Sequence, residues 1–313
     1  MKTTLTTSAE AAAEFIRRGG IVAFPTETVY GLGASVFDEN AVARIFDAKR
    51  RPADNPLIAH IATIDQMEEL SDDVNELARK FIAAFFPGPL TLVLPKSDKV
   101  PPIATAGLDT IGVRMPRFDL AHRFLAACGT PVVAPSANLS GRPSPTTWQA
   151  VLEDLDGRID CIIQGDATEI GLESTVVDCT SEVPLVLRSG SVTLDHLRSV
   201  VPETEIYGSD VSETPKSPGM KHRHYSPRAR VVVIEDRCDI AGGSSAAFIG
   251  INAPLGKLSK ILVCPNIDSY ARSVFEFFRE CDRLGIGTVY CDAVEETGIG
   301  AALMDRIRRA ASR

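Results

Sequence analysis

The stretch Ile21-Val22-Ala23-Phe24-Pro25-Thr26-Glu27-Thr28-Val29-Tyr30-Gly31-Leu32-Gly33 constrains this chain more than any other. Ile21 to Phe24 is an apolar run that reads as a buried strand. Pro25 breaks it into a small polar turn carrying two threonines, a glutamate and a tyrosine. Gly31 and Gly33 lack a Cβ, so the backbone there can pass close to another element. A helix is expected from Asp38 to about Lys49, because Asp38 is a capping residue and Val42, Ile45, Phe46 and Lys49 recur on one side. Lys49 and Arg51 emerge at its end. Small hydroxyls and two cations brought to one place suit an anionic ligand. Taken alone the unit is ordinary: strand, turn and helix alternate in every α/β protein, and cations are favourable at a helix C-terminus in any case.

Short apolar runs recur down the chain. Strands are expected at 57–61, 90–94, 110–116, 131–134, 160–164, 174–178 and 184–188, and helices at 8–18, 65–85, 118–128, from Thr146 and at 193–201. His60 sits in the first of these runs, where core packing is the commoner role for a histidine. Arg114 is flanked by Val113 and Met115, and a half-buried arginine needs a carboxylate or phosphate partner. Pro131 to Ala134 opens into Pro135-Ser136-Ala137-Asn138-Leu139-Ser140-Gly141-Arg142-Pro143-Ser144, a loop of small hydroxyls and amides. In α/β sheets ligands bind beyond the carboxyl ends of strands. Residues 202–229 change character, first polar and acidic, then Lys221-His222-Arg223-His224-Tyr225, with no convincing metal spacing. From Arg230 strands and helices alternate again, as in a small parallel α/β domain.

The 313 residues allow one large or two ordinary domains, and 44% hydrophobic with 24% charged residues is a soluble globular composition. A net charge of −8 argues against wholesale nucleic-acid binding while leaving a local basic cleft open. Seven cysteines without a CxxC pair argue against zinc or a disulfide framework and point to a reducing cytoplasm. There is no signal-peptide pattern and no apolar run of membrane-span length. The candidate residues, with Thr26 among them, are rich in cations and hydroxyls and poor in carboxylates. No Ser-His-Asp set and no nucleotide-binding glycine fingerprint occurs. This chemistry stabilises charge rather than supplying a nucleophile.

Several motifs then fall in order: PTETVYGLG, the K-x-R of Lys49-Arg50-Arg51, DNPLIAHI, FFPGPLTLVL, TIGVRMP, PSANLSG and ESTVVD. Together they resemble the YrdC-like family of threonylcarbamoyl-AMP synthases, and SPGMKHRHYSP with GIGAALMDRIRRAA resembles its two-domain, SUA-five-type branch. The resemblance spans nearly the whole chain. It implies a YrdC-like twisted open α/β sheet domain over 1–201, an interdomain linker and lid over 202–229, and a small Rossmann-like parallel α/β domain over 230–313. It further implies a nucleotidyltransferase that forms L-threonylcarbamoyladenylate and pyrophosphate from L-threonine, bicarbonate or CO2, and ATP. Mg2+ is expected with the ATP and no metal is expected on protein side chains. The product would pass to the machinery for threonylcarbamoyladenosine (t6A) at tRNA position 37.

Residue by residue, the resemblance places Thr28, His60, Arg114, Ala134 and Ser174 at L-threonine, with Arg114 on its carboxylate. Lys49, Arg51, Asn55, Thr110, Ser136, Asn138, Ser144, Arg188 and Tyr225 fall at ATP, with Lys49, Arg51, Ser136 and Asn138 as the catalytic set and Tyr225 in the lid. The second domain is short for the family, compressed near Gly250 to Ser259. Three rivals stay open: an RNA-binding module, carbamoyl transfer of the hydrogenase-maturation type, and a silent relative. Weak tRNA binding is compatible with the first reading too.

Overall fold

The computed structural model describes residues 2–208, 225–236, 240 and 243–312. The first part of the chain runs β1 (Thr4–Thr6), α1 (Ala9–Arg17), β2 (Val22–Phe24), β3 (Gly31–Ser35), α2 (Glu39–Lys49), β4 (Ile58–His60), α3 (Glu76–Phe85) and β5 (Leu90–Pro95). It continues with α4 (Pro102–Thr105), β6 (Thr110–Arg114), α5 (Asp119–Cys128), β7 (Val132–Val133), α6 (Trp148–Leu155), β8 (Cys161–Ile163), β9 (Thr175–Asp178), β10 (Leu185–Arg188), α7 (Leu194–Arg198) and β11 (Glu205–Ile206). The predicted caps act: Ser8 Oγ accepts from Ala11 N at 3.1 Å, and Asp38 Oδ1 accepts from Ala41 N at 3.0 Å.

The expected helix over 65–85 is two pieces, a 3-10 turn at Ile64–Glu69 and α3. Side chains between them compete for the backbone: Ser71 Oγ donates to Asp73 O at 3.0 Å, and Asn75 Oδ1 accepts from Ala78 N at 2.9 Å, which starts a new helix. Met67, Leu70 and Phe81 are nonetheless buried, so the apolar stripe is core packing as expected.

Among the described residues, eleven strands form one mixed sheet in the order β1-β8-β2-β3-β7-β4-β6-β5-β9-β10-β11. β3, absent from the sequence reading, pairs antiparallel with both β2 and β7. It explains the two glycines: a Cβ on Gly33 would stand 2.6 Å from Val132 Cγ1, and one on Gly31 would stand 3.2 Å from Ala134 Cβ. Gly33→Ala is expected to destabilise the fold by about 1–3 kcal/mol, the cost of overpacking a tight core, read as a lowered denaturant midpoint at unchanged slope.

Side chains alternate across a strand. Ala23, Leu32, Ala59, Val113 and Val133 belong to the main core on one face. On the other face Phe24 meets Phe124 of α5 at 5.1 Å between ring centroids. The same face of β4 and β6 carries Ile58, His60 and Arg114, with Ile58 opposite Gly112 and His60 opposite Arg114. The site therefore lies over a sheet face as well as at strand ends, and Gly112 lets Thr91 and Ile58 pack close against β6, where a Cβ would stand 3.2 Å from Thr91 Cγ2.

The rest of the chain forms β12 (Arg230–Ile234), β13 (Gly243–Gly250), β14 (Leu258–Val263), α8 (Ile267–Arg283), β15 (Thr288–Asp292) and α9 (Ile299–Ala311). Its strands are parallel, in the order β12-β15-β13-β14. Phe275, Phe278, Leu303 and Ile307 pack beneath them, and Val29 and Leu172 of the first part join that cluster. Arg279, 0% exposed, donates to Asp154 Oδ1 at 3.1 Å and Oδ2 at 2.9 Å across the junction. Among the described residues, no helix is long and apolar enough to cross a membrane, and the cysteines Cys128, Cys161, Cys179, Cys264, Cys281 and Cys291 are free and buried. Lys221, His222, Arg223 and His224, singled out in the linker, lie outside the described residues.

Candidate active site

The turn after β2, the ends of β4, β6 and β7, the start of β9, the end of β10 and Tyr225 converge on one cavity of about 70 Å³. Its wall holds three arginines, Arg51, Arg114 and Arg188, against one carboxylate, Glu173. A single bridge between Gly31 and Ser136 ties the loop after β7 to the start of β3.

Arg114 is 4% exposed, with two of its guanidinium nitrogens hydrogen-bonded and the third in an ion pair. Nη1 donates to Thr28 Oγ1 at 2.8 Å, Nε donates to Gly88 O at 3.2 Å, and Nη2 lies 2.7 Å from Glu27 Oε1. Thr26 Oγ1 donates to Val29 O at 2.7 Å, so in its 2.8 Å contact with Thr28 it is the acceptor. The hydrogens then run one way, from Arg114 to Thr28 to Thr26 to the backbone. Glu27 is wholly buried, and its Oε2 has no hydrogen-bond partner, which leaves acceptor capacity beside Arg114.

His60 is buried, with Nδ1 3.1 Å from Ile58 O and its ring edge-on to Phe24 at 5.7 Å. Burial, then the Arg114 charge, lowers its pKa to about 3 from the ordinary 6.5. The ring is neutral at physiological pH, with Nδ1–H donating and Nε2 left as an acceptor. The unfolded chain takes up a proton near pH 6.5 that the folded chain refuses, so stability is full above that value and falls with acid. Acidifying the medium from about pH 6 to about pH 4.5 is expected to remove about 2 kcal/mol through this residue. The slope of stability against pH should flatten in His60→Asn.

The second group of cations surrounds the loop after β7. Lys49, 1% exposed, donates to the carbonyls of Ser136 and Asn138, and burial followed by the Arg51 charge drives its pKa well below the ordinary range. The amine therefore braces the loop from behind the cavity wall. Ser136 Oγ donates to Asn138 Oδ1 at 2.6 Å, and Asn138 Nδ2 donates to the carbonyls of Leu139 and Arg142 at 2.9 Å each. Arg51 is aimed by the carbonyls of Asn55, at 3.3 and 3.2 Å, and Pro56, at 3.1 Å; burial lowers its pKa to about 10, still a cation at neutral pH. Arg188 donates through Nε to Ser174 O at 3.0 Å and through Nη2 to Ser174 Oγ at 3.2 Å, and Ser174 Oγ lies 2.8 Å from Thr91 Oγ1. Ser144 Oγ donates to Glu173 Oε1. Tyr225, 5% exposed, stacks on Phe275 of α8 at 5.3 Å.

A family model described as "Telomere recombination" (Sua5/YciO/YrdC) matches residues 14–190, and one described as "Threonylcarbamoyl-AMP synthase, C-terminal domain" matches residues 192–312. The threonylcarbamoyl-AMP synthase of Pyrococcus abyssi is 46% identical over 96% of this chain and 92% of its own length. The chain belongs to the two-domain, Sua5-type family of threonylcarbamoyl-AMP synthases. The Bacillus subtilis synthase is 40% identical with the same coverage of both chains, and the crystal structure of P. abyssi Sua5 complexed with L-threonine superposes with a TM-score of 0.92 at 41% identity, over 99% of this chain and 98% of that one. Like them, this member of the synthase family is an enzyme of the nucleotidyltransferase type.

Of the residues singled out in the sequence, Thr28, His60, Arg114, Ala134 and Ser174 line the cavity together, as do Arg51, Ser136, Arg188 and Tyr225. Lys49, Asn138, Asn55 and Ser144 stand one layer behind, each bonded to a wall residue or its loop, and Asn55 Oδ1 is buried without a hydrogen-bond partner. Thr110 is apart from them. It opens β6 opposite Pro95, four residues and about 13 Å along the strand from Arg114. The impression of a carboxylate-poor cluster is corrected by Glu27 and Glu173, both buried among the arginines. Arg306 of α9, bonded to Glu173 Oε2 at 3.0 Å, was missed altogether.

Proposed function

We propose that this synthase-family chain joins L-threonine, bicarbonate and ATP to give L-threonylcarbamoyl-AMP and pyrophosphate, for the t6A modification of tRNA. The observation that carries the reading is the pre-set guanidinium of Arg114, held by Glu27, Thr28 and Gly88 at the wall of the cavity. The related P. abyssi structure of the same fold was solved with L-threonine. Arg114 takes the threonine carboxylate. Neutral His60 and the hydroxyls of Thr28 and Ser174 offer acceptors for its ammonium and hydroxyl groups. The free amine and bicarbonate form the N-carboxylate and water. One N-carboxylate oxygen bonds to the α-phosphorus of ATP as the bond to the β-phosphate bridging oxygen breaks, and that electron pair leaves with pyrophosphate.

No protein nucleophile is required, and the buried amine of Lys49 is committed to two carbonyls. The protein positions the reactants and neutralises the charge that builds on the phosphates, chiefly through Arg51 and Arg188. Mg2+, if carried on the nucleotide, would add its charge to that of Arg51 and Arg188 in neutralising the phosphates. Among the described residues no three His, Cys, Asp or Glu side chains stand together to hold a metal, and Glu173 is the carboxylate nearest to hand.

A cavity of about 70 Å³ is smaller than the roughly 300–1,000 Å³ of ligand pockets, so Tyr225 moves away to admit ATP. We take 1–201 as the catalytic unit, 202–229 as linker and lid, and 230–313 as the second unit; β11, the last strand of the first sheet, reaches into the linker range, and the second sheet begins with β12. The test is to trap the product. Labelled bicarbonate should appear in an adenylate of the expected mass only when L-threonine and ATP are both present, and label found in no nucleotide would contradict the reading.

A further inference from the structure

Arg306 reaches the cavity wall from the last helix of the second domain. It is 0% exposed. Nε donates to Glu173 Oε2 at 3.0 Å, Nη2 donates to Ser189 O at 2.9 Å, and Nη1 donates to Asp305 Oδ2 at 2.6 Å. Its guanidinium carbon lies 5.5 Å from the centroid of the Tyr225 ring, which also stacks on Phe275 of α8 at an interplanar angle of 22°. Both of these groups belong to the second domain, while Val29 and Leu172 of the first part share the same apolar cluster. Glu173 in turn fixes Ser144, and Ser189 follows Arg188 in the chain. One guanidinium touches three parts of the site.

Domain docking is the plainer role, and Arg279 fills it: equally buried, it binds Asp154, which does not line the cavity. Glu173 and Tyr225 do line it. Tyr225 moreover has φ +67°, a left-handed conformation that bulky residues rarely adopt. Its placement is imposed by what it packs against rather than by its own backbone preference.

We propose that Arg306 is a positioning residue of the synthase site, holding Glu173 in place and seating Tyr225, so that the second domain sets how the cavity closes over the nucleotide. The inference rests on the ATP-dependent reading given above. The charged or titratable groups acting on Glu173 are Arg306 from α9, Arg188 from β10 and the Tyr225 ring, with Asp305 of α9 facing Arg306 and Tyr225. Burial pushes the Glu173 carboxyl up, but Arg306, then Arg188 and the Ser144 hydroxyl, outweigh it and hold the carboxyl below its ordinary value. Without Arg306 the carboxylate keeps only Arg188 and the Ser144 hydroxyl against its burial, and a less compensated negative charge would face the incoming polyphosphate.

The experiment measures kcat and KM for ATP by pyrophosphate release. It compares the wild type with Arg306→Gln, Arg306→Lys and the double variant Arg306→Gln/Glu173→Gln, each with its melting temperature. Arg306→Gln should raise KM for ATP about tenfold, the effect of roughly one charge contact, with a smaller change in kcat. The double variant, which removes the carboxylate charge, should recover most of that KM, and Arg306→Lys should keep most of the wild-type affinity. Unchanged KM in folded Arg306→Gln overturns the proposal. So does a loss that is equal in kcat and KM and is not relieved by Glu173→Gln, which is the mark of docking alone. If Arg306→Gln does not fold, the double variant and Arg306→Lys carry the comparison; a double variant with a tenfold poorer KM would then contradict it. A wild-type protein that binds ATP by calorimetry but releases no pyrophosphate contradicts the synthase reading instead, and the variants' ATP dissociation constants then decide the role of Arg306. A wild-type protein that binds no ATP overturns both.

Discussion

Arg114→Ala is expected to lower threonine-dependent turnover by about 1,000-fold, the upper range for losing one preorganised charge contact. Two consequences of the geometry make the effect large. The threonine carboxylate loses its fixed cation, and Thr28 loses the donor that sets the direction of its hydroxyl. Glu27 is also stranded, since Arg114 Nη2 is its ion-pair partner at 2.7 Å. Removing one member of a buried pair costs about 3–5 kcal/mol, so a folding defect has to be separated from a catalytic one. Pairing Arg114→Ala with Glu27→Gln does that. The double variant should recover much of the lost stability in a denaturant titration while its turnover stays low. Turnover recovering together with stability would show that Arg114 acts on the fold and not on threonine.

Arg51→Ala should cost about 100- to 1,000-fold in kcat/KM for ATP and leave the melting temperature nearly unchanged. Its guanidinium is aimed by backbone carbonyls of Asn55 and Pro56, and the carboxylate that acts on it, Asp54, is exposed, so its removal strands no buried carboxylate. Those carbonyls accept water once the side chain is gone, because the turn at 52–54 is exposed. Lys49 makes a useful contrast. It braces the Ser136 and Asn138 carbonyls, so its loss should lower stability and activity together. A variant Arg51→Ala with near wild-type kcat/KM would remove the charge-neutralising role proposed for it.

The cavity was legible where chemistry follows from local spacing. Asp38 capped α2 as expected, and the Ser-Asn loop fell after a short buried strand with Ser136 on the cavity wall. Gly31 and Gly33 announced a close approach, but the partner, β7, is a hundred residues away and no local pattern names it. The helix boundary at Asn75 was hidden because apolar spacing continued through the break, while the Ser71 and Asn75 side chains took over the backbone partners. β1 and β11 are three and two residues long and carry little apolar signal. The two acids were visible as letters and invisible as site members: a glutamate in a polar turn is usually solvated, and only the tertiary fold brings Glu27 to Arg114 and Glu173 to Arg306. Arg306 itself sits in Asp305-Arg306-Ile307-Arg308-Arg309, which reads as a solvated helix face until α9 is docked.

The most direct test of the synthase reading is pyrophosphate release by the purified protein with ATP, bicarbonate and L-threonine, leaving out each in turn and replacing threonine by serine. Release that requires both bicarbonate and L-threonine, and that falls with serine, is the predicted result. Release indifferent to threonine, or tight ATP binding with no release under any condition, would contradict it.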